Sequence, residues 1–199
     1  MTNNIAKEIR REIESSIAIK AALLDDSDII LQIESLAHRC VESLREGGKI
    51  IFAGNGGSFA DAQHLSAEFS SRFQFDRAPL ASLALGTNNS ALSAIGNDYG
   101  FEQVFSRELQ AIAKPNDIFI PISTSGNSLN ILAAAKVAGL AQVYTFALTG
   151  AEGGALIAVC DCLCVPSKSN PRIQECHIMI GHILCGLIER IIFKGNFDA

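Results

Sequence analysis

The stretch Ile50-Ile51-Phe52-Ala53-Gly54-Asn55-Gly56-Gly57-Ser58 decides the fold. Four apolar residues, a glycine turn and a segment carrying His64 and Glu68 read as a strand, a tight turn and a helix start. Glycine lets the backbone take positive φ and approach a ligand closely, while the first helical N–H groups point outward with the positive end of the helix dipole. Such a turn suits an anion or a sugar hydroxyl. His64 and Glu68 stand four residues apart, so both side chains share one helix face about one turn apart, where they can hold a metal or a substrate together.

Downstream, short apolar runs alternate with helical segments. The runs are Ile50 to Ala53, Ala81 to Leu85, Ile118 to Ile122, Val143 to Leu148 and Cys162 to Val165. Being continuous rather than alternating in polarity, they predict a five-stranded parallel sheet covered by helices on both faces, an α/β fold. Ligands of such sheets bind beyond the carboxyl ends of the strands. Gly54 to Ser58, Gly86-Thr87-Asn88, Ser123 to Ser128 and Thr149-Gly150 all fall there.

Upstream, Ile5, Ile9, Ile13 and Ile17 recur every four residues between charged residues, which is an amphipathic helix over about residues 4 to 24. Asp25-Asp26-Ser27 caps a second helix carrying Ile30, Ile33, Ala37, Cys40, Val41 and Leu44, and Gly47-Gly48 ends it. One α/β layer does not need so much apolar helix surface. The pair, residues 1–47, is therefore expected to pack against other subunits as a bundle, the alternative being that it caps its own sheet. Residues 48–199 form the remainder of a single domain.

With 199 residues and 48% hydrophobic composition the chain suffices for one full core. A net charge of −5 argues against a large basic nucleic-acid surface, so a phosphorylated ligand must be held by local dipoles and hydroxyls. No uninterrupted apolar run reaches membrane-helix length, and Met1 to Asn4 leads into a charged segment unlike a secretory signal, so the expected location is cytoplasmic with no membrane partner. The six cysteines are then expected to be free. Cys160, Cys162 and Cys164 suggest a metal cluster at first sight, but they lie in an apolar strand with no second cluster nearby and read as small buried hydrophobes.

The loop Ser123-Thr124-Ser125-Gly126-Asn127-Ser128 gathers four hydroxyls around one glycine at the entrance of a helix running to about Ala138. Hydroxyls and free N–H groups there satisfy phosphate oxygens without lysine. A single helix cap would explain one hydroxyl, not four. In the last helix, about Arg172 to Ile192, Gln174 and His182 project within about 80° of each other, and His177 lies about 60° to the other side of Gln174. Buried polar groups need partners, and His64 with Glu68 are the candidates. His177 by itself reads as a hydrogen-bonded packing residue.

Together, Gly54 to Ser58, Asp61-Ala62-Gln63-His64, Asn97-Asp98-Tyr99-Gly100, Ile122 to Ser128 and Arg172-Ile173-Gln174-Glu175 resemble the sugar isomerase (SIS) domain family, and within it the phosphoheptose isomerases. The resemblance covers nearly the whole chain. It implies a flavodoxin-like sheet and a homotetramer with active sites at subunit interfaces. It also implies conversion of the sugar phosphate D-sedoheptulose 7-phosphate to D-glycero-D-manno-heptose 7-phosphate, toward lipopolysaccharide or capsule. The implied catalytic base is Glu68 and the acid His182; His64, Glu68, Gln174 and His182 would hold one Zn2+ per subunit. Ser123, Thr124, Ser125 and Ser128 would bind phosphate, while Asn55, Gly56, Gly57, Ser58, Glu68, Arg72, Asn97, Asp98 and Gln174 would contact the sugar or shape the site. Two departures are Phe59, where many relatives carry a small or polar residue, and Pro171, where some carry aspartate.

An aldose–ketose isomerase moves a proton between adjacent carbons through an enediol, which needs a base, an acid and stabilisation of the enediolate oxygen. Two rival functions remain on sequence grounds. One is a non-catalytic relative that binds the bacterial replication initiator, whose kind lacks the equivalents of Glu68 and His182; the other is a sugar-phosphate sensor without turnover.

Overall fold

The computed structural model describes residues 2–195. Five strands form one parallel sheet in the order β2-β1-β3-β4-β5, where β1 is Ile50–Gly54, β2 Ser82–Ala84, β3 Ile118–Ser123, β4 Tyr144–Gly150 and β5 Asp161–Val165. This is the flavodoxin-like order, and all five strands expected from the sequence form. The central strands β1 and β3 are buried at every residue, as their unbroken apolar composition requires.

The sheet has an apolar core on each face. Helices α2 (Ser27–Arg45), α3 (Gly57–Ser70) and α7 (Asn170–Phe193) cover one side, where Leu36, Leu65, Phe69 and Ile180 pack on Ile50, Phe52 and Ile120. Helices α5 (Val104–Ile112) and α6 (Leu129–Leu140) cover the other with Phe105, Leu109, Ile131 and Ala134. A further helix, α4 (Asn89–Tyr99), leads toward α5. Asp26 caps α2 by accepting from the Asp28 and Ile29 N–H groups, the role its sequence position indicated.

The N-terminal pair divides its work. Helix α2 turns Ile29, Ile33, Leu36, Ala37, Cys40 and Val41 into the core of its own sheet. Helix α1 (Thr2–Asp25) buries Leu23 but leaves Ile5, Ile9, Ile13 and Ile17 between 56% and 65% exposed. Polar contacts tether α1 to the start of α7: Arg172 donates to the Glu12 carbonyl at 2.6 Å, and Ser16 donates to the Glu175 carboxylate at 2.7 Å.

Helix α7 is long and apolar enough by length and composition to cross a membrane, but half of that span is buried inside the domain. Its fully buried His177 and Glu189 mark it as a core helix. Pro171 sits in its first turn, where the missing N–H leaves no helical bond unmade. The cysteines are free, but Cys160, Cys162 and Cys164 are only half-buried, because β5 is an edge strand.

Candidate active site

Strand order reverses between β1 and β3, and the register places Gly54 opposite Ile122. The glycine turn and the hydroxyl loop therefore leave the sheet side by side at its topological switch point. Gly56 takes φ +56°, and a Cβ on Gly57 would lie 2.6 Å from the Gln174 Nε2, so the turn is shaped both by backbone conformation and by the amide resting on it. Asn55 is fixed from the other loop: its amide exchanges two 2.9 Å hydrogen bonds with buried Asn130. Asn130 ties the two loops together, and nothing in its sequence context distinguishes it from any helix-start asparagine.

In the hydroxyl loop, Gly126 at φ +64° lies so close to Gly153 that a Cβ would meet that carbonyl at 2.0 Å. Ser128 occupies the cap position of α6 but makes no side-chain cap bond; its hydroxyl pairs instead with buried Ser123 at 3.2 Å. The simple capping explanation therefore fails for Ser128, and the first N–H groups of α6 lack a side-chain cap. Ser125 accepts from the Asn127 N–H at 3.1 Å. Beside Thr124 and Ser125 opens a pocket of about 250 Å³, also lined by Asn127, Gly150, Ser167 and Lys168.

The third component comes from the crossing of α3 and α7. At Gly181 a Cβ would lie 2.5 Å from the buried Leu65 side chain, so the two helices approach as closely as a missing side chain allows. The residues next to this contact in sequence are His64 and His182. Their Nε2 atoms stand 2.8 Å apart, and His64 Nε2 lies 3.3 Å from the Glu68 carboxylate. Ligand atoms of all three residues lie within 4.8 Å of one another. Two imidazole nitrogens at this distance make an N–H···N hydrogen bond when one ring turns its N–H toward the lone pair of the other, and the same two lone pairs are placed to face a common cation. The Phe73 ring stacks on His182 with centroids 5.6 Å apart.

The other expected residues are placed as follows by the fold. Ser58 is buried in the first turn of α3, and Arg72 is exposed on the loop that follows α3. Asn97 and Asp98 are exposed on the last turn of α4 and bond to each other at 2.8 Å. His177 is not drawn into the site: it is fully buried and its Nε2 meets the Thr149 carbonyl at 3.1 Å. Burial, only partly offset by that bond, pushes its pKa down to about 4. Asp61, one turn before His64, has a carboxylate oxygen that is buried without a partner, and burial raises its pKa against the pull of His64.

A model of the SIS domain matches residues 7–150. The chain is 53% identical over 190 residues to the phosphoheptose isomerase of Aneurinibacillus thermoaerophilus, covering 95% of this chain and 96% of that one. The chain belongs to the SIS-domain phosphoheptose isomerase family. Family likeness extends to Campylobacter jejuni phosphoheptose isomerase 2, 46% identical with 98% of each chain covered. Among solved structures, a phosphoheptose isomerase from Francisella tularensis superimposes with TM-score 0.89 at 36% identity, covering 93% of this chain and 98% of that one. The family enzyme GmhA from Neisseria gonorrhoeae gives 0.86 at 38% identity over the same shares.

Proposed function

We propose that this chain is the aldose–ketose isomerase that converts D-sedoheptulose 7-phosphate to D-glycero-D-manno-heptose 7-phosphate through an enediol, supplying heptose for lipopolysaccharide or capsule. The observation that carries this reading is the convergence of Glu68, His64 and His182 at the α3–α7 crossing. That convergence, together with relatives that are named isomerases, disfavours the initiator-binding and sensor alternatives.

The chemistry assigns roles by atom. Glu68 takes a proton from C1 of the ketose, the C1–H electron pair forms the C1–C2 double bond, and the C2 carbonyl pair moves onto O2. His182 supplies the proton O2 needs and takes back the proton of O1 as C1 becomes the aldehyde, so the acid is regenerated. Returning the abstracted proton to C2 completes an internal redox exchange without an external oxidant. The hydroxyls of Ser123, Thr124, Ser125 and Ser128 with the α6 N–H groups take the far phosphate, so remote binding energy orients the reacting carbons. In this reading Asn55, Ser58, Arg72 and Asp98 contact the sugar or shape the site between the two ends.

The donor set also suits a cation. Two imidazoles and a carboxylate, already within coordination reach of one another, are zinc ligands by type, and the Gln174 amide next to Gly57 is the fourth in this reading; the bonds from Glu68 and His182 would have to loosen for those groups to carry protons. When bound, Zn2+ supplies Lewis-acid polarisation of the substrate carbonyl.

The exposed isoleucines of α1, and an apolar groove of about 450 Å³ between α2 and α7 lined by Ile30, Ile33, Ile183 and Leu187, support assembly as a homotetramer. Glu34 and His38 are the polar side chains among a lining that is otherwise aliphatic, which suits a packing surface better than a phosphosugar site. Six free thiols are consistent with a cytoplasmic setting.

The test is turnover of sedoheptulose 7-phosphate by the purified chain and by Glu68→Gln. Isomerisation by the native chain and a loss of about 10³-fold or more in kcat in the variant are expected. Turnover by the variant near the native rate would remove the base from Glu68.

A further inference from the structure

Behind the α3–α7 crossing lies a buried ion pair that takes no part in the proton transfers. Glu189, about two turns beyond His182 on α7, is fully buried. Its carboxylate accepts from the Phe73 N–H at 3.0 Å, the Gln74 N–H at 2.9 Å and Arg77 Nε at 3.0 Å. The Arg77 guanidinium, 2% exposed, donates in turn to the carbonyls of Glu68 at 2.8 Å, Phe69 at 2.7 Å and Ser71 at 2.9 Å. These are carbonyls at the end of α3 that helix geometry leaves without partners. One pair thus closes the helix end that bears Glu68 and holds the backbone of Phe73, whose ring stacks on His182.

We propose that Glu189 and Arg77 are positioning residues for the isomerisation: they clamp the end of α3 to α7 and keep the Phe73 ring on His182, so that its imidazole faces His64. Desolvating two charges is expensive and seldom the most stabilising way to fill a core. Here, apart from a bond from Arg77 to the neighbouring Ala78 carbonyl, the pair's hydrogen bonds join α7 to the end of α3 and to the loop that carries Phe73. This inference rests on the isomerase reading.

The experiment uses the full chain with added Zn2+ and compares Glu189→Gln and Phe73→Leu with native protein. The chain has four histidines, so the imidazole NMR signals are few, and His182 is assigned by its loss in His182→Asn. The clamp predicts that both variants shift the His182 signal while those of His38 and His177 stay in place. It further predicts that kcat falls about 10-fold or more with KM within about twofold. Phe73→Leu keeps the charged pair, so its Tm stays within a few degrees of native while kcat still falls.

An unmoved His182 signal in both variants, or lowered Tm with native kcat, overturns the proposal. If native protein shows no isomerisation, the functional reading fails, and the His182 signal still decides whether the clamp holds the imidazole.

Discussion

His177 and His182 stand five positions apart on one helix, yet their surroundings set them to different work. His182 meets the His64 ring at a helix crossing, whereas His177 is sealed against a carbonyl with its Nδ1 buried and partnerless. Its folded pKa of about 4 lies below the ordinary 6.5, so the unfolded chain takes up a proton that the folded one refuses. Above about pH 6.5 neither state is charged there; as pH falls toward 4, stability is lost, by about 2 kcal/mol between pH 7 and pH 5. Urea unfolding at the two pH values should show this loss, and His177→Gln should reduce it. At the hydroxyl loop, Ser123→Ala and Ser125→Ala should raise KM for the phosphosugar more than they lower kcat, read from initial-rate kinetics. Sequence made the meeting of His64, Glu68 and His182 legible through helix spacing and the family resemblance, and the hydroxyl loop legible through its four hydroxyls around one glycine. It left Asn130, Phe73, Arg77 and Glu189 silent. Their parts depend on partners about 75 to 116 residues away, and no local pattern encodes such distance.

At the scale of elements, the crossing of α3 and α7 depends on one absent side chain. Gly181→Ala would drive a methyl against buried Leu65, and the helices must part or the core must shift. A cost of about 1–3 kcal/mol is expected in thermal unfolding, and since His64 and His182 sit next to the contact, turnover should fall about 10-fold or more as they separate. Strand and helix positions were readable from periodicity because buried parallel strands are continuous apolar runs, and α2 also announces its cap. Asp26 is the plainest case, its carboxylate bonded to the N–H groups it was expected to reach. The cysteine strand was harder. Cys160, Cys162 and Cys164 look like core residues by composition, but strand order along the sheet puts them at an edge, and order is not written in any one strand.

Over the whole molecule, the isoleucine ridge of α1 stands out as unspent apolar surface among the described residues, four side chains each more than half exposed. Burying such a residue is worth about 1.5–3 kcal/mol, so Ile9→Asp with Ile13→Asp should yield a species that sediments more slowly than the native assembly. Sequence pointed to a helical pair with apolar surface to spare. The division, one helix capping its own sheet and the other turned outward, emerged only with the packing. The α3–α7 crossing also carries a consequence for synthesis on the ribosome. His64 leaves the exit tunnel 118 residues ahead of its imidazole partner on α7. While the intervening chain is made, its strands can pair and its loops can form, yet the two rings cannot meet until α7 docks, so in the isomerase reading competence waits on that docking.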